Sequence, residues 1–195
     1  GINRDIKEKY KSWICREIYD RNYSETRSPE MPSAILETMS HQNFNDMIYG
    51  QDPNFRFTLA RSIYKTILKY ISAQHGCKYI VQPLAPTNFS VEHINGNEIK
   101  LSWSEAVDSL EPTSHPTSYK IYTSTETGDF DNGHNVKKTS YIMDIDPDKQ
   151  YNFRVTAVNR GGESFPSEIL SSYYKRGANK TILVVNGFNR LSAPD

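Results

Sequence analysis

Between residues 88 and 173 the chain alternates apolar and polar residues in short runs, broken by turn residues at intervals of about 8–12 positions. This rhythm constrains the fold more than any other feature. A period of two turns one side of each run into a core and the other toward water. Asn88-Phe89-Ser90-Val91-Glu92 and Glu98-Ile99-Lys100-Leu101-Ser102-Trp103 alternate in this way, with Asn95-Gly96-Asn97 as the turn between them. Ser118 to Thr123, Ser140 to Ile145, Gln150 to Val158 and Ser167 to Tyr173 continue the series, and Asp146-Pro147-Asp148 punctuates it. Such a set predicts a two-sheet antiparallel sandwich over 84–174, with Trp103 and Tyr151 largely buried. The long polar stretch from Ser104 to Thr117, with its two prolines, is expected to pack on a neighbour.

The preceding residues, 3–75, have a helical texture. Ile6, Tyr10, Trp13, Ile14 and Ile18 share one face of a helix expected over 4–21, with Asn3 as its N-cap. Ser28-Pro29-Glu30-Met31-Pro32 then breaks any regular element, because proline lacks an amide donor and restrains its predecessor. Ser33 to Glu37 reads as a short buried strand. A second helix starts at Asp52 as N-cap with Pro53 at the first helical position, runs to about Ser72, and is terminated by Gly76. Its stripe of Phe55, Leu59, Ile63, Ile67 and Ile71, flanked by Ala60, Tyr64 and Leu68, is expected to be core. The expected fold class is therefore mainly β with an α-helical N-terminal part: two amphipathic helices and a short strand ahead of a sandwich.

Acidic and basic residues balance at 23 each, so no global field attracts phosphate backbones, and nucleic acid is excluded as the expected partner. Lys137-Lys138 and Lys175-Arg176 are too short for tails and read as solvated faces. No apolar run approaches the roughly 20 residues of a membrane span, and Gly1 to Glu8 is polar rather than a signal peptide. Cys15 and Cys77 are too few for a disulfide scaffold and lack metal spacing; two buried free thiols or a single bridge remain open. Asp129, Asp131 and Asn132 form a turn with some calcium-ligand character, but the remaining ligands of an EF-hand are missing, and an Asp/Asn/Gly turn needs no ion.

Pro86, Val91, Leu101-Ser102-Trp103, Tyr119-Lys120-Ile121-Tyr122, Tyr151 to Asn159, Gly162, Ser164 and Pro166-Ser167-Glu168 occur in the order and spacing that resemble fibronectin type III domains. The resemblance implies that Trp103 fills one sheet and that Tyr151 makes a tyrosine corner, its hydroxyl reaching a backbone group near the end of the preceding strand. Asn159-Arg160-Gly161-Gly162 then becomes a turn where positive φ costs little.

Met31 to Glu37, followed by Ser40 to Asp46 and the helix from Asp52-Pro53, resembles the end of zinc-dependent N-acetylmuramoyl-L-alanine amidases. The resemblance implies Glu37 as catalytic acid/base in an intact parent protein, with Asn43 and Asp46 shaping the loop after it. A glutamate there takes a proton from metal-bound water and passes it to the leaving amine. The family's zinc ligands, two histidines and a glutamate, lie far upstream. Here His41, His75, His93, His115 and His134 all follow Ser33, and none is paired at zinc spacing. No cofactor or metal site is therefore expected in this chain, while the resemblance implies zinc in an intact parent.

Lys180 to Phe188 is a polar start, an apolar run and a glycine turn, and it looks like the first strand of a following α/β domain. Its Ile182–Val185 core is expected to pair with Ala34–Leu36 or with a neighbouring copy, a self-association through exposed edges. The expected organisation is 1–76 amidase-like remnant, 77–83 linker, 84–174 sandwich and 175–195 linker plus strand. That combination resembles large secreted bacterial proteins, some labelled xanthan lyases, and implies a secreted, periplasmic or cell-surface location. The first functional reading is a non-catalytic spacer or interaction module whose partners are flanking domains and peptidoglycan or polysaccharide. A zinc amidase using Glu37 is the second. The third is a glycan- or protein-binding sandwich with clustered exposed aromatics.

Overall fold

The computed structural model describes residues 1–185, and these divide into two units, Gly1–Ile71 and Ser72–Val185. The helices are α1 (Ile2–Lys9), α2 (Ser24–Arg27), α3 (Phe44–Gln51) and α4 (Pro53–Gln74). α1 is capped at Gly1, with Asn3 inside it, and it stops far short of the expected residue 21. The chain leaves the helix so that two rings reach α4. Tyr10 and Trp13 lie 5.0 and 4.9 Å from Phe55, and Tyr49 lies 5.3 Å from it. Beyond Trp13 the apolar residues Ile14 and Ile18 are exposed, so no tertiary contact supports a further helical stretch there.

The expected strand at 33–37 does not form, and Ile35 and Leu36 are exposed. A strand exists only through a ladder partner, and the described residues of the first unit hold no other strand. α3 forms instead where a loop was expected. Asn43 Oδ1 accepts from Asn45 N at 3.0 Å, and Asp46 Oδ2 accepts from Ser40 N at 2.9 Å.

α4 has the expected ends. Asp52 Oδ1 accepts from Asn54 N at 2.9 Å. At the other end Cys77 N reaches Ser72 O, and Gly76 N reaches Ala73 O with φ +61° at Gly76. That pair of bonds is a Schellman closure. The expected apolar stripe is only partly core: Phe55 is fully buried, but Ile67 and Ile71 are 53% and 48% exposed. Residues four apart advance about 40° beyond a full turn, so four such steps carry the stripe about 160° around the helix. The buried line mixes steps of three and four: Phe55, Thr58, Ser62, Lys65 and, a further two turns on, Ser72. It is largely polar, and its centre is an ion pair. Lys65 Nζ stands 2.6 Å from Asp5 Oδ2, supported by Arg4 Nη2 at 3.2 Å from Asp5 Oδ1.

Both cysteines are free and exposed, not buried. Cys15 follows the early end of α1, and Cys77 lies just past the turn that closes α4.

In the second unit the strands are β1 (Thr87–Asn95), β2 (Glu98–Ser104), β3 (Ser118–Thr125), β4 (His134–Val136), β5 (Ser140–Asp144), β6 (Gln150–Asn159), β7 (Gly162–Glu163) and β8 (Leu170–Tyr173). One sheet is ordered β1-β2-β5. In the other, β4-β3-β6-β7 pair in turn and β8 also pairs with β6. All pairings are antiparallel. Ile99, Leu101, Trp103, Tyr119, Ile121, Ile145, Phe153, Val155 and Ala157 fill the space between the sheets. Each alternates with a polar neighbour, as period-two burial requires. Trp103 is buried as expected, whereas Tyr151 is half-buried. Ile182 to Val185 lie in no ladder and are 76–87% exposed, and the expected partner Ala34–Leu36 is likewise irregular, so the strand pairing is not made within the chain; Asn186 to Phe188 of that run fall outside the described residues.

Candidate functional site

β6 is the longest strand of the sandwich, and each of its ends organises one end of the molecule's second unit. At the Asn159 end the chain arriving from α4 is fastened down. Val81 is fully buried, its N–H donates to Thr113 Oγ1 at 3.1 Å, and Thr113 Oγ1 donates to Glu111 Oε1 at 2.9 Å. Asn159 Nδ2 donates to the carbonyls of Val81 at 2.9 Å and of Thr113 and His115 at 3.2 Å. Its Oδ1 accepts from Gly161 N at 2.7 Å. One buried amide thus satisfies carbonyls from two irregular segments that have no ladder to use. Pro83 and Pro86 are buried too, so the stretch before β1 is packed from Val81 onward. The Ser104–Thr117 stretch packs on this segment, through the short 3-10 turn Pro112–Ser114.

Gly161 and Gly162 serve different needs. Gly162 has φ +131°, which a side chain rarely adopts. At Gly161 the need is space, since a Cβ there would sit 2.3 Å from Ile80 O.

At the Gln150 end the chain departs. Gln150 pairs with Tyr173, the last residue of β8. Asp148 N then donates to Tyr174 O at 2.7 Å, and Arg176 N donates to Asp148 Oδ1 at 3.2 Å. The tyrosine corner is present beside it. Tyr151 OH accepts from Asp146 N at 3.3 Å and donates to Asp146 Oδ2 at 2.8 Å. Burial first, then the bond to the Asp146 carboxylate, pushes the Tyr151 phenol above its ordinary range.

The outer face of the larger sheet carries a polar ladder. Tyr122 OH donates to Glu163 Oε1 at 2.5 Å and Thr156 Oγ1 donates to the same oxygen at 2.7 Å. The Arg154 guanidinium lies over the rings of Phe130 at 4.2 Å and Tyr122 at 5.0 Å. Burial pushes the Glu163 carboxyl up, but the two hydroxyls, Lys120 and Arg154 outweigh it and hold it below the usual range. Each group is engaged with another, so the face is a brace for β3, β6 and β7.

The residues singled out for chemistry are not brought together. Glu37 is exposed in irregular chain, and Asn43 and Asp46 are spent on the start of α3. His41 and His75 are exposed, His93 Nε2 bonds Ser172 Oγ at 2.8 Å, His115 Nδ1 meets Glu105 at 2.7 Å, and the His134 ring lies on Tyr141. Asp131 Oδ1 accepts from Thr123 N and Gly133 N, so its carboxylate holds the turn. Among the described residues no group of three or more His, Cys, Asp or Glu side chains is placed to hold a metal.

Comparison with known families agrees with the strand order and the corner: residues 84–173 match the model described as fibronectin type III domain. The sandwich is a fibronectin type III domain. A search of curated proteins finds no match. Among solved structures, the twitchin kinase region from C. elegans is 25% identical over 51% of this chain, with a TM-score of 0.45, and the matched part spans 18% of that chain. A structure described as FN3tt mut is 28% identical over 48% of this chain and 98% of its own, with a TM-score of 0.40. Titin kinase and its flanking domains give 24%, 49% of this chain, 18% of that chain and 0.42. No helix among the described residues is long and apolar enough to cross a membrane.

The anchoring of this fibronectin type III domain at Val81 was not foreseen. Asn159 and the two glycines stand out in the sequence as a turn, but no local signal ties them to a segment 78 residues earlier.

Proposed function

We propose that the fibronectin type III domain, with the segment from residue 79 and the departure to residue 176, is a rigid non-catalytic spacer and interaction module within a longer multidomain chain. The observation that carries this reading is the placement of the two anchors. Val81 is tied to Asn159 and Tyr173 pairs with Gln150, at opposite ends of the ten-residue β6. Nine steps along a strand set the anchors about 30 Å apart. A spacer needs both a fixed length and chain ends that do not swivel, and hydrogen bonds at either end supply the second. Backbone order parameters test it. Residues 79–83 and 174–176 are expected near the rigid value of about 0.85, and values below about 0.6 in either stretch overturn the reading.

The finer reading places this module in a secreted cell-envelope or polysaccharide-processing protein, supported by the sequence resemblances at 31–46 and 180–188. The gene sequence upstream of residue 1 tests it: a His/Glu/His set makes the parent an amidase with Glu37 as acid/base, and its absence removes that chemistry.

A further inference from the structure

We infer that Ile80-Val81 forms a latch, closed by Gly161 and Asn159, that sets the direction of the chain arriving at the sandwich and opens without unfolding it. The inference rests on the spacer reading and names the device that fixes its leading end.

Three observations carry it. The first is steric. A Cβ at Gly161 would meet Ile80 O at 2.3 Å, Ile80 C at 2.8 Å and Val81 C at 2.9 Å. These are backbone atoms and cannot rotate aside, so only glycine lets the turn after β6 lie flat on the strap. The second is polar. Asn159, 8% exposed, holds Val81 O, the loop carbonyls of Thr113 and His115, and the Gly161 amide at once, so strap, loop and turn close together. The third is what the latch lacks. None of its hydrogen bonds is a ladder bond, and Val81, though fully buried, is not part of the apolar core between the sheets. A segment whose Val81 is held by bonds to side chains rather than by a ladder can open as a unit of its own, below the free energy of the fold it rests on. Beside it an open groove of about 300 Å³, lined by Ile80, Thr113, His115, Thr117, Asn159 and Arg160, leaves room for the strap to shift.

Hydrogen exchange on the full chain tests the latch, read at the Val81 amide, which donates to Thr113 Oγ1 in the closed state. The comparison is wild type, Gly161→Ala, Asn159→Ala and, as a control on an exposed residue outside the latch, Lys138→Ala. Exchange at Val81 is expected to rise at least about tenfold in the first two variants. The β6 amides of Phe153 and Val155 and the buried-type emission of Trp103 should stay as in wild type, and Lys138→Ala should match wild type throughout. Unchanged Val81 protection in both Gly161→Ala and Asn159→Ala overturns the latch. So does protection lost only together with the β6 amides, which makes the strap part of global unfolding. A Val81 amide already unprotected in wild type sinks the spacer reading as well, whereas protection that ignores the variants sinks the latch alone.

Discussion

Asp5 and Lys65 form a buried ion pair in the first unit. Both are nearly fully buried and 2.6 Å apart, with Ser62 Oγ 3.4 Å from Asp5 Oδ2. Removing one partner strands the other charge away from water. Asp5→Ala is expected to destabilise this unit by about 3–5 kcal/mol, while the double variant Asp5→Leu/Lys65→Met recovers most of the loss. Denaturant titration read at Trp13 checks both, and a single variant costing under about 1 kcal/mol contradicts the account. Burial pushes the Asp5 carboxyl up, but Lys65 and Arg4 outweigh it and hold it below the ordinary range. A depressed acid stabilises above its unfolded pKa of about 3.9, and that stability is lost as pH falls through the lower folded value. Unfolding of the first unit should therefore steepen below about pH 4, and in Asp5→Asn that steepening should shrink. None of this was legible in the sequence. Lys65 sits in an apolar helix like a solvated residue, and its partner is 60 positions away.

At the scale of elements, local signals decided what could be read. The caps of α4 were legible because Asp52, Pro53 and Gly76 act on their own neighbours. Asp52→Ala should cost about 1 kcal/mol, measured as a fall in the midpoint of the first unit. The β1–β2 hairpin was legible for the same reason, its turn lying in three consecutive residues. The faces of α4 were misjudged, because steps of four drift around a helix while tertiary contacts follow 3.6. The account therefore separates two positions that look alike in sequence. Phe55→Ala should cost about 3–5 kcal/mol, since Phe55 is the centre of the Tyr10, Trp13 and Tyr49 rings. Ile67→Lys, on the exposed side, should change stability by no more than about 0.5 kcal/mol. Equal effects at the two sites would contradict the placement of the helix face. The strand expected at 33–37 failed for a related reason: strand propensity is a property of a ladder, and a sequence pattern cannot supply the partner. α3 falls where Asn43 and Asp46 were read as loop residues, and the local signal missed there is Asn43 at its N-cap, accepting from Asn45 N.

For the whole molecule, the sandwich is what the sequence specified best, because strand period, turns and the Trp103 and Tyr151 positions all point to one architecture. The anchoring of both its ends is what supports the proposed spacer role, and it arises only when segments distant in sequence meet. The most direct test is the distance between those ends. Spin labels at Lys78→Cys and Lys175→Cys, in a Cys15→Ser/Cys77→Ser background that removes the two exposed thiols, report it by pulsed electron-electron resonance. The account predicts one narrow distribution centred at about 30 Å or somewhat beyond, set by the length of β6. A broad distribution, or a maximum below about 20 Å, would contradict the rigid spacer.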